Sequence, residues 1–349
     1  MGDFKLQGVT PAAGKIKLGS SNVSKIYSGS TQVWLNGYVF ANRAELKIAV
    51  DLWTGTAAQR ASALATYGEI NSWGTGNVTT MQLLFKDKNT FNDDISNWDV
   101  SNVTSMFQMF YDATAFNQPI GDWNVSGVEN MNNMFYRASS FNQAINSWNV
   151  SSVTGMLTMF NQASAFSQSL NSWDVSNISS MFGMFANALS FNGDISSWNV
   201  SSVENMFSMF NGASSFNQDL SSWNVSNVEN MENMFYGASA FNKDISNWNV
   251  SDANNMRRMF KEASSFNQDV GGWDISNVLS LTEMFSSATS FSTINYDLLL
   301  IGWSGISLQD DLDFDMNSTT SYSQGAATTA RGVLTSSPND WVITDGGQV

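Results

Sequence analysis

The chain has 349 residues, with 13 Trp, 24 Phe and 18 Met but no Cys and no His. That excludes disulfides, thiolate nucleophiles, Ser-His-Asp triads and imidazole metal sites, so neither an enzyme nor a cofactor is expected. Thirty acidic against 15 basic residues give a net charge of −15, which repels nucleic acid and anionic membrane surfaces. No apolar run reaches the 18 residues a membrane span needs, so no membrane insertion is expected.

Residues 1–40 come first. A short echo links Leu18-Gly19-Ser20-Ser21-Asn22-Val23 to Ser28-Gly29-Ser30-Thr31-Gln32-Val33, ten residues on. Alternating Ile16-Lys17-Leu18 and Lys25-Ile26-Tyr27, separated by Gly-Ser turns, predict a small β-meander or hairpin module. Lys5, Lys15, Lys17, Lys25, Arg43 and Lys47 fall in the first 50 residues and suit an acidic neighbour. Lys15, Lys17, Lys25, Tyr27 and Trp34 are the candidate anchoring residues of this module. Residues 1–8 have neither the basic nor the apolar stretch of an export signal, and none is expected. Residues 41–72 follow, with two short helices predicted over 44–53 and 57–64 as an N-terminal cap.

Residues 73–297 are periodic. Trp recurs at 73, 98, 123 and on to 273, every gap being 25, and two Phe series starting at 85 and 91 keep the same step. Nine copies result. Twenty-five residues cannot bury an apolar face alone, so the copies must stack. In one copy, Ile95-x-x-Trp98-x-Val100 predicts a short strand. Apolar residues at 103, 106, 109, 110 and 113 predict a short helix with Ser101 as its N-cap. Ser126…Glu129, Ser201…Glu204 and Ser226…Glu229 have capping-box spacing. Asn after the second Phe, in seven of nine copies, predicts a ladder satisfying turn backbone groups. The expected fold is an α/β solenoid: a right-handed, leucine-rich-repeat-like superhelix whose nine parallel strands would span about 38 Å. Residues 298–349 are expected to cap its far end.

The unit around Lys243-Asp244-Ile245-Ser246-Asn247-Trp248-Asn249-Val250-Ser251 resembles the BspA-type leucine-rich-repeat surface protein family. So does the tail, through Tyr296-Asp297-Leu298-Leu299-Leu300-Ile301-Gly302-Trp303 and Trp341-Val342-Ile343-Thr344-Asp345-Gly346-Gly347. The resemblance covers about two thirds of the chain and implies a displayed, adhesive, non-catalytic protein. The head segment Gly14–Trp34 is similar to a short module at the start of tailed-phage structural proteins. It implies a virion component whose residues 1–40 bind other virion proteins.

Candidate surfaces follow from the register. Small polar residues flanking each Trp, such as Asn97, Asp99, Ser222 and Asn224, form a uniform solvated row, with weak glycan contact as the sharper alternative. One residue after the first repeat Met stand Phe107, Leu157, Phe182 and Phe207, a candidate partner patch if exposed. The bland alternative half-buries them between neighbouring copies. Arg257, Arg258 and Lys261 form a cation cluster that is more readily a solvated face than a site. Asp311, Asp313 and Asp315 have alternate calcium-ligand spacing, but Met316 stands where an EF-hand loop needs Gly. The expectation is a non-enzymatic virion structural protein of a tailed phage, in head or tail, touching other virion proteins and a host-surface protein or glycan. Homo-oligomers are common among such parts. The alternative is a BspA-type adhesin on a bacterial cell surface.

Overall fold

The computed structural model describes residues 37–349 in full. Of residues 1–36 it describes the backbone of five short strands: β1 (Thr10–Ala12), β2 (Lys15–Leu18), β3 (Ser21–Asn22), β4 (Lys25–Ser28) and β5 (Thr31–Trp34). β1, β2 and β3 pair antiparallel in that order, and β4 and β5 form a hairpin with Lys25 opposite Trp34 and Ser28 opposite Thr31. Lys15, Lys17, Lys25, Tyr27 and Trp34 therefore sit in β2, β4 and β5. Their side chains lie outside the described residues.

Two helices precede the first copy, α1 (Arg43–Trp53) and α2 (Ala57–Tyr67). Local chemistry starts both. The Asn42 side chain accepts the Glu45 N–H, and Thr56 with Gln59 forms a capping box. α1 buries Leu46, Ala49, Val50 and Trp53, one face of a 3.6-residue period. This face covers the Trp73 ring, which lies 5.7 Å from Trp53, 5.9 Å from Tyr67 and 5.2 Å from Phe40.

Within the copies the structure departs from the expected strand and helix. Residues 73–292 hold no α-helix and no strand longer than an isolated bridge. Each copy is instead a chain of β-turns whose first and last residues are apolar. The N–H groups of Trp98, Val103, Met109, Ala113 and Phe116 donate to the carbonyls of Ile95, Val100, Met106, Phe110 and Ala113. Every one of these turn-ending side chains is buried. A three-residue step between core positions thus comes from turns closing i to i+3, and in sequence it mimics one face of a helix. The turns need left-handed residues. Gln108 (φ 53°) and Asp112 (φ 55°) supply them in the second copy, and equivalent residues have positive φ in every copy. Ser101 caps no helix: Asp99 Oδ1 accepts both its N–H (3.0 Å) and its hydroxyl (2.6 Å). The capping-box serines stand at the same turn.

Parallel pairing between copies falls in the segment expected to be helical. The N–H groups of Met106, Gln108, Phe110 and Asp112 donate to the carbonyls of Asn130, Asn132, Met134 and Tyr136 in the next copy, at 2.7–3.0 Å. Isolated parallel bridges join Thr80, Ser105, Asn130 and Gly155, then Ser180 through Ser280. Each indole donates backwards as well: Trp173 Nε1 reaches Ile145 O at 3.0 Å, and Trp198 Nε1 reaches Leu170 O at 2.8 Å. Outside the turns, the Asn ladder runs between copies, with Asn117 N–H on Asn92 Oδ1 and Asn142 N–H on Asn117 Oδ1, both at 2.9 Å. Phe rings stack on their equivalents at 5.4–5.8 Å in one column, from Phe85 to Phe285. The core is one continuous column of like on like.

After the ninth copy come α3 (Thr293–Trp303), β6 (Asp313–Asp315), α4 (Ala326–Leu334) and β7 (Val342–Thr344), with β6 and β7 parallel. Single residues here take over the contacts of a tenth copy. Trp303 Nε1 donates to Val270 O at 3.3 Å, continuing the indole series. Gln309 Nε2 reaches Ser276 O at 2.9 Å, and Asp315 O receives the Phe285 N–H at 3.2 Å. α3 approaches so closely that a Cβ on Gly302 would lie 2.0 Å from Gly271 O, which requires glycine there. A buried carboxylate fastens the tail: Asp345 Oδ2 accepts Tyr296 Oη at 2.7 Å and Arg331 Nε at 2.8 Å, and Oδ1 accepts the Gly347 N–H at 3.0 Å.

Candidate interaction surface

The turn segment that carries the inter-copy ladder also carries the outward side chains of interest. In the second copy, Met106, Met109 and Phe110 point into the core while Phe107, Gln108 and Tyr111 remain partly exposed. Equivalent residues in successive copies line up in lanes, because each copy is bonded to the next in a fixed 25-residue register.

The four residues Phe107, Leu157, Phe182 and Phe207 share one lane. Phe182 is 40% exposed; the other three are half-buried. Phe182 and Phe207 stack at 5.0 Å, nearly parallel. Leu157, Phe182 and Phe207 belong to adjacent copies, so they form one apolar strip about 10 Å long at strand spacing. Phe107 is separated from it by Asn132. Glu232 and Arg257 continue the same lane and pair at 3.0 Å.

A second lane lies beside it, four residues further on. Tyr111 and Tyr136 stack there at 4.7 Å, and Lys86 Nζ sits 4.7 Å from the Tyr111 ring, a cation–π contact. Burial, together with Tyr136, raises the Tyr111 hydroxyl above the ordinary tyrosine range. Sequence reasoning passed over this pair because it followed only the row beside the Trp and the lane one residue after the first Met. The signal was available: aromatic residues at a non-core position in two adjacent copies.

Toward the C-terminal end the flank is ionic. Glu283 accepts hydrogen bonds from both Lys261 and Arg258, and these hold its carboxyl below the usual glutamate range. Tyr236 Oη donates to Glu262 at 3.2 Å. Arg257, Arg258 and Lys261 are thus internally compensated.

The row flanking each Trp is used to tie copies together. Asn97 N–H donates to Asn71 Oδ1 at 3.0 Å, Ser222 Oγ to Ser196 O at 2.6 Å, and Asn247 Nδ2 to Ser221 O at 2.8 Å. An open groove of about 520 Å³ crosses this row, lined by Ser196, Ser197, Trp198, Asp219, Ser222 and Asn224. Trp198 presents only 3% of its surface there, so it offers no ring face for stacking a sugar. Asp219 is held below the usual aspartate range by the Ser221 N–H, with help from its hydroxyl. Of the three candidate calcium aspartates, Asp313 and Asp315 lie in β6, and Asp315 Oδ2 accepts the Glu283 N–H at 3.0 Å. Among the described residues no group of three or more His, Cys, Asp or Glu gathers as a metal site. No helix among them is long and apolar enough to cross a membrane.

These features define a tandem-repeat protein with a continuous core and one flank of mixed apolar, aromatic and ionic character. The family described as Mycoplasma protein of unknown function, DUF285, matches residues 55–173, 143–239 and 220–299. The chain belongs to that family. No curated protein matches it.

Proposed function

We propose that the protein is a non-enzymatic structural scaffold: a solenoid of nine copies, closed by residues 41–72 and 298–349, that presents its turn flank to other proteins. The observation that carries this reading is the strip Leu157, Phe182 and Phe207. It stays solvent-accessible in a stretch, residues 138–242, that contains no Lys or Arg. An apolar centre with ionic ends is the layout of a protein contact rather than of a catalytic cleft. Catalysis has little to draw on in a chain without Cys or His.

For its setting, we infer a tailed-phage virion, with residues 1–40 as the attachment module. The support is the likeness of Gly14–Trp34 to phage structural modules and the excess of cations there. The family match to mycoplasma proteins favours a second setting, display on a bacterial cell surface as an adhesin. Deleting residues 1–40 separates the two. In a virion protein the shortened chain still folds but disappears from purified particles. Retained incorporation overturns the attachment role. Recovery of the full chain from cell surfaces, with none in particles, establishes the adhesin.

A further inference from the structure

One junction in the stack is bonded unlike the rest. Number the copies from one at Trp73 to nine at Trp273, so that the fifth begins at Trp173. At the other junctions the first repeat Met donates its N–H to the next copy, as Met131 does to Gly155 O at 2.8 Å and Met181 to Asn205 O at 2.9 Å. The residue two before that Met donates the opposite way, as Thr154 does to Glu129 O and Glu204 to Ser179 O, both at 2.9 Å. Between the fourth and fifth copies both rungs are missing. The Ser179 N–H does not reach Thr154 O, and the Met156 N–H has no acceptor among the described residues although Met156 is wholly buried. A buried N–H without a partner is rare and costly.

Two substitutions account for the gap. Gly155 is the only glycine in a lane of Thr, Ser and Asn, whose side chains elsewhere accept the N–H two residues on, as Asn130 does from Asn132 at 2.9 Å and Asn205 from Phe207 at 2.8 Å. Without that acceptor, the Leu157 N–H turns back to Asn132 Oδ1 in the third copy at 2.7 Å, and Thr158 Oγ1 follows to Asn133 Oδ1 at 2.7 Å. The fourth copy is thus tied harder to the third than to the fifth. Ile178, beside Ser179, is the second change: it adds a methylene between Val153 and Val203 in a close-packed column. The opposite edge of the same junction gains bonds instead. Asp194 O accepts the Leu170 N–H at 3.0 Å and Ser169 Oγ at 3.3 Å, an arrangement found at no other junction.

We infer that this junction is a joint, at which the stack swings as two blocks, residues 73–172 and 173–297. The pivot is the Leu170–Asp194 edge, and the edge with the lost rungs opens. Three rungs hold it closed: the N–H groups of Thr158, Phe160 and Gln162 on Phe182 O, Met184 O and Ala186 O at 2.7–2.9 Å. In a stack whose stability is a sum over neighbour interfaces, the interior interface with the fewest bonds opens first. The joint divides the apolar strip, with Leu157 on one block and Phe182 and Phe207 on the other. A partner spanning Leu157 and Phe182 therefore holds the joint at one angle, a consequence that rests on the proposed scaffold role. The joint itself does not rest on it.

Hydrogen exchange of the full chain without any partner tests the joint separately from that role. The amides of Thr158, Phe160 and Gln162 have bonded equivalents at both adjoining junctions: Asn133, Phe135 and Arg137 on one side, Gly183, Phe185 and Asn187 on the other. Static bonding is the same in all three sets, so only the opening of each junction separates them. Protection of the first set is expected to be about tenfold lower, the weight of one net hydrogen bond in an opening equilibrium. The double variant Gly155→Asn, Ile178→Val restores the residues that other copies carry in these lanes. A Cβ at 155 meets the flexible Asn132 side chain at 3.0 Å, which can move aside. This variant is expected to raise the protection of Thr158, Phe160 and Gln162 to that of their equivalents while leaving the other two sets unchanged. Equal protection of the three sets in the natural chain overturns the joint, and so does a repaired chain whose first set still exchanges faster. Should the double variant misfold, the comparison within the natural chain still decides it.

Discussion

Ser167→Asn is expected to stabilise the protein. Asn follows the second Phe in seven copies, and its carbonyl receives the N–H of the equivalent residue one copy later: 2.9 Å from Asn117 to Asn92, and 2.9 Å from Asn267 to Asn242. Ser167 interrupts this. Its N–H still donates to Asn142 Oδ1 at 3.0 Å, but its hydroxyl supplies no carbonyl for the Asn192 N–H. Asn at 167 restores the acceptor at a half-buried position where one intramolecular bond contributes about 0.5–1.5 kcal/mol. Water competes there, so about 0.5–1 kcal/mol is the expected gain. Unfolding entropy scales with length, and for a chain this long 1 kcal/mol moves the thermal midpoint by only about 1–2 °C. Urea unfolding is the sharper assay, with a raised midpoint at constant slope. Ser292 is the control. Its N–H donates the ladder bond to Asn267 Oδ1 at 2.9 Å, and its own hydroxyl caps α3 by accepting the Asn295 N–H. No copy follows it, so Ser292→Asn is expected to gain nothing. If Ser167→Asn leaves the urea midpoint unchanged or lowers it, the ladder is not a stabilising element.

Four other outcomes are expected. Trp173→Ala removes a buried ring and its bond to Ile145 O, and urea unfolding is expected to show a loss of about 3–5 kcal/mol. Arg137 holds φ 58° in a lane where Gly212 and Gly237 stand in other copies; Arg137→Gly relieves that strain and is expected to gain about 0.5–1 kcal/mol in the same assay. Asp345→Ala leaves Arg331 and the buried Tyr296 hydroxyl without their acceptor and is expected to cost about 3–5 kcal/mol, with hydrogen exchange rising first in β7. Asp99, Asp174, Asp219 and Asp244 are lowered in the folded state by Ser hydroxyl and N–H donors. Their contribution is complete above the ordinary carboxylate value and is lost as pH falls through the folded one. Thermal midpoints are therefore expected to stay flat from about pH 8 to pH 5, in a chain without His, and to drop below about pH 4.

Much of this architecture could be read from the residues, and the part that could not has a physical cause. Trp98, Met106, Phe110 and Phe116 are core residues in sequence and structure alike, since a strict period leaves no other use for them. α1 and α2 lie where amphipathic spacing puts them. The helix expected over 103–113 does not form, because the i to i+3 spacing of turn-ending residues cannot be told from one helical face. Only hydrogen-bond direction separates the two. An α-helix would direct most N–H groups to i−4 carbonyls within the copy. Here Met106, Gln108, Phe110 and Asp112 send theirs to the next copy. The strip at Leu157, Phe182 and Phe207 was legible as a departure from polar residues in its lane. Tyr111 and Tyr136 were equally legible, but only once lanes rather than copies are read.

That difference in reading direction bears on where information resides in such a protein. Along one copy, the sequence encodes only how to make turns and fill a core, and it does so nine times. Stability then comes from neighbours: each copy adds one set of inter-copy bonds and one layer to each ring column. The left-handed turn residues fit this account. Fifteen non-glycine residues in the copies hold positive φ, each at a cost of about 1–2 kcal/mol. The cost is tolerable because these are the residues whose N–H reaches the next copy, as Gln108 and Asp112 do. Across copies the sequence is free to vary wherever the side chain points outward. A run such as Leu157, Phe182 and Phe207, or a stacked pair such as Tyr111 and Tyr136, has no role in folding one copy. Such departures record a constraint acting on the assembled flank as a whole, which is the surface that the proposed scaffold role uses.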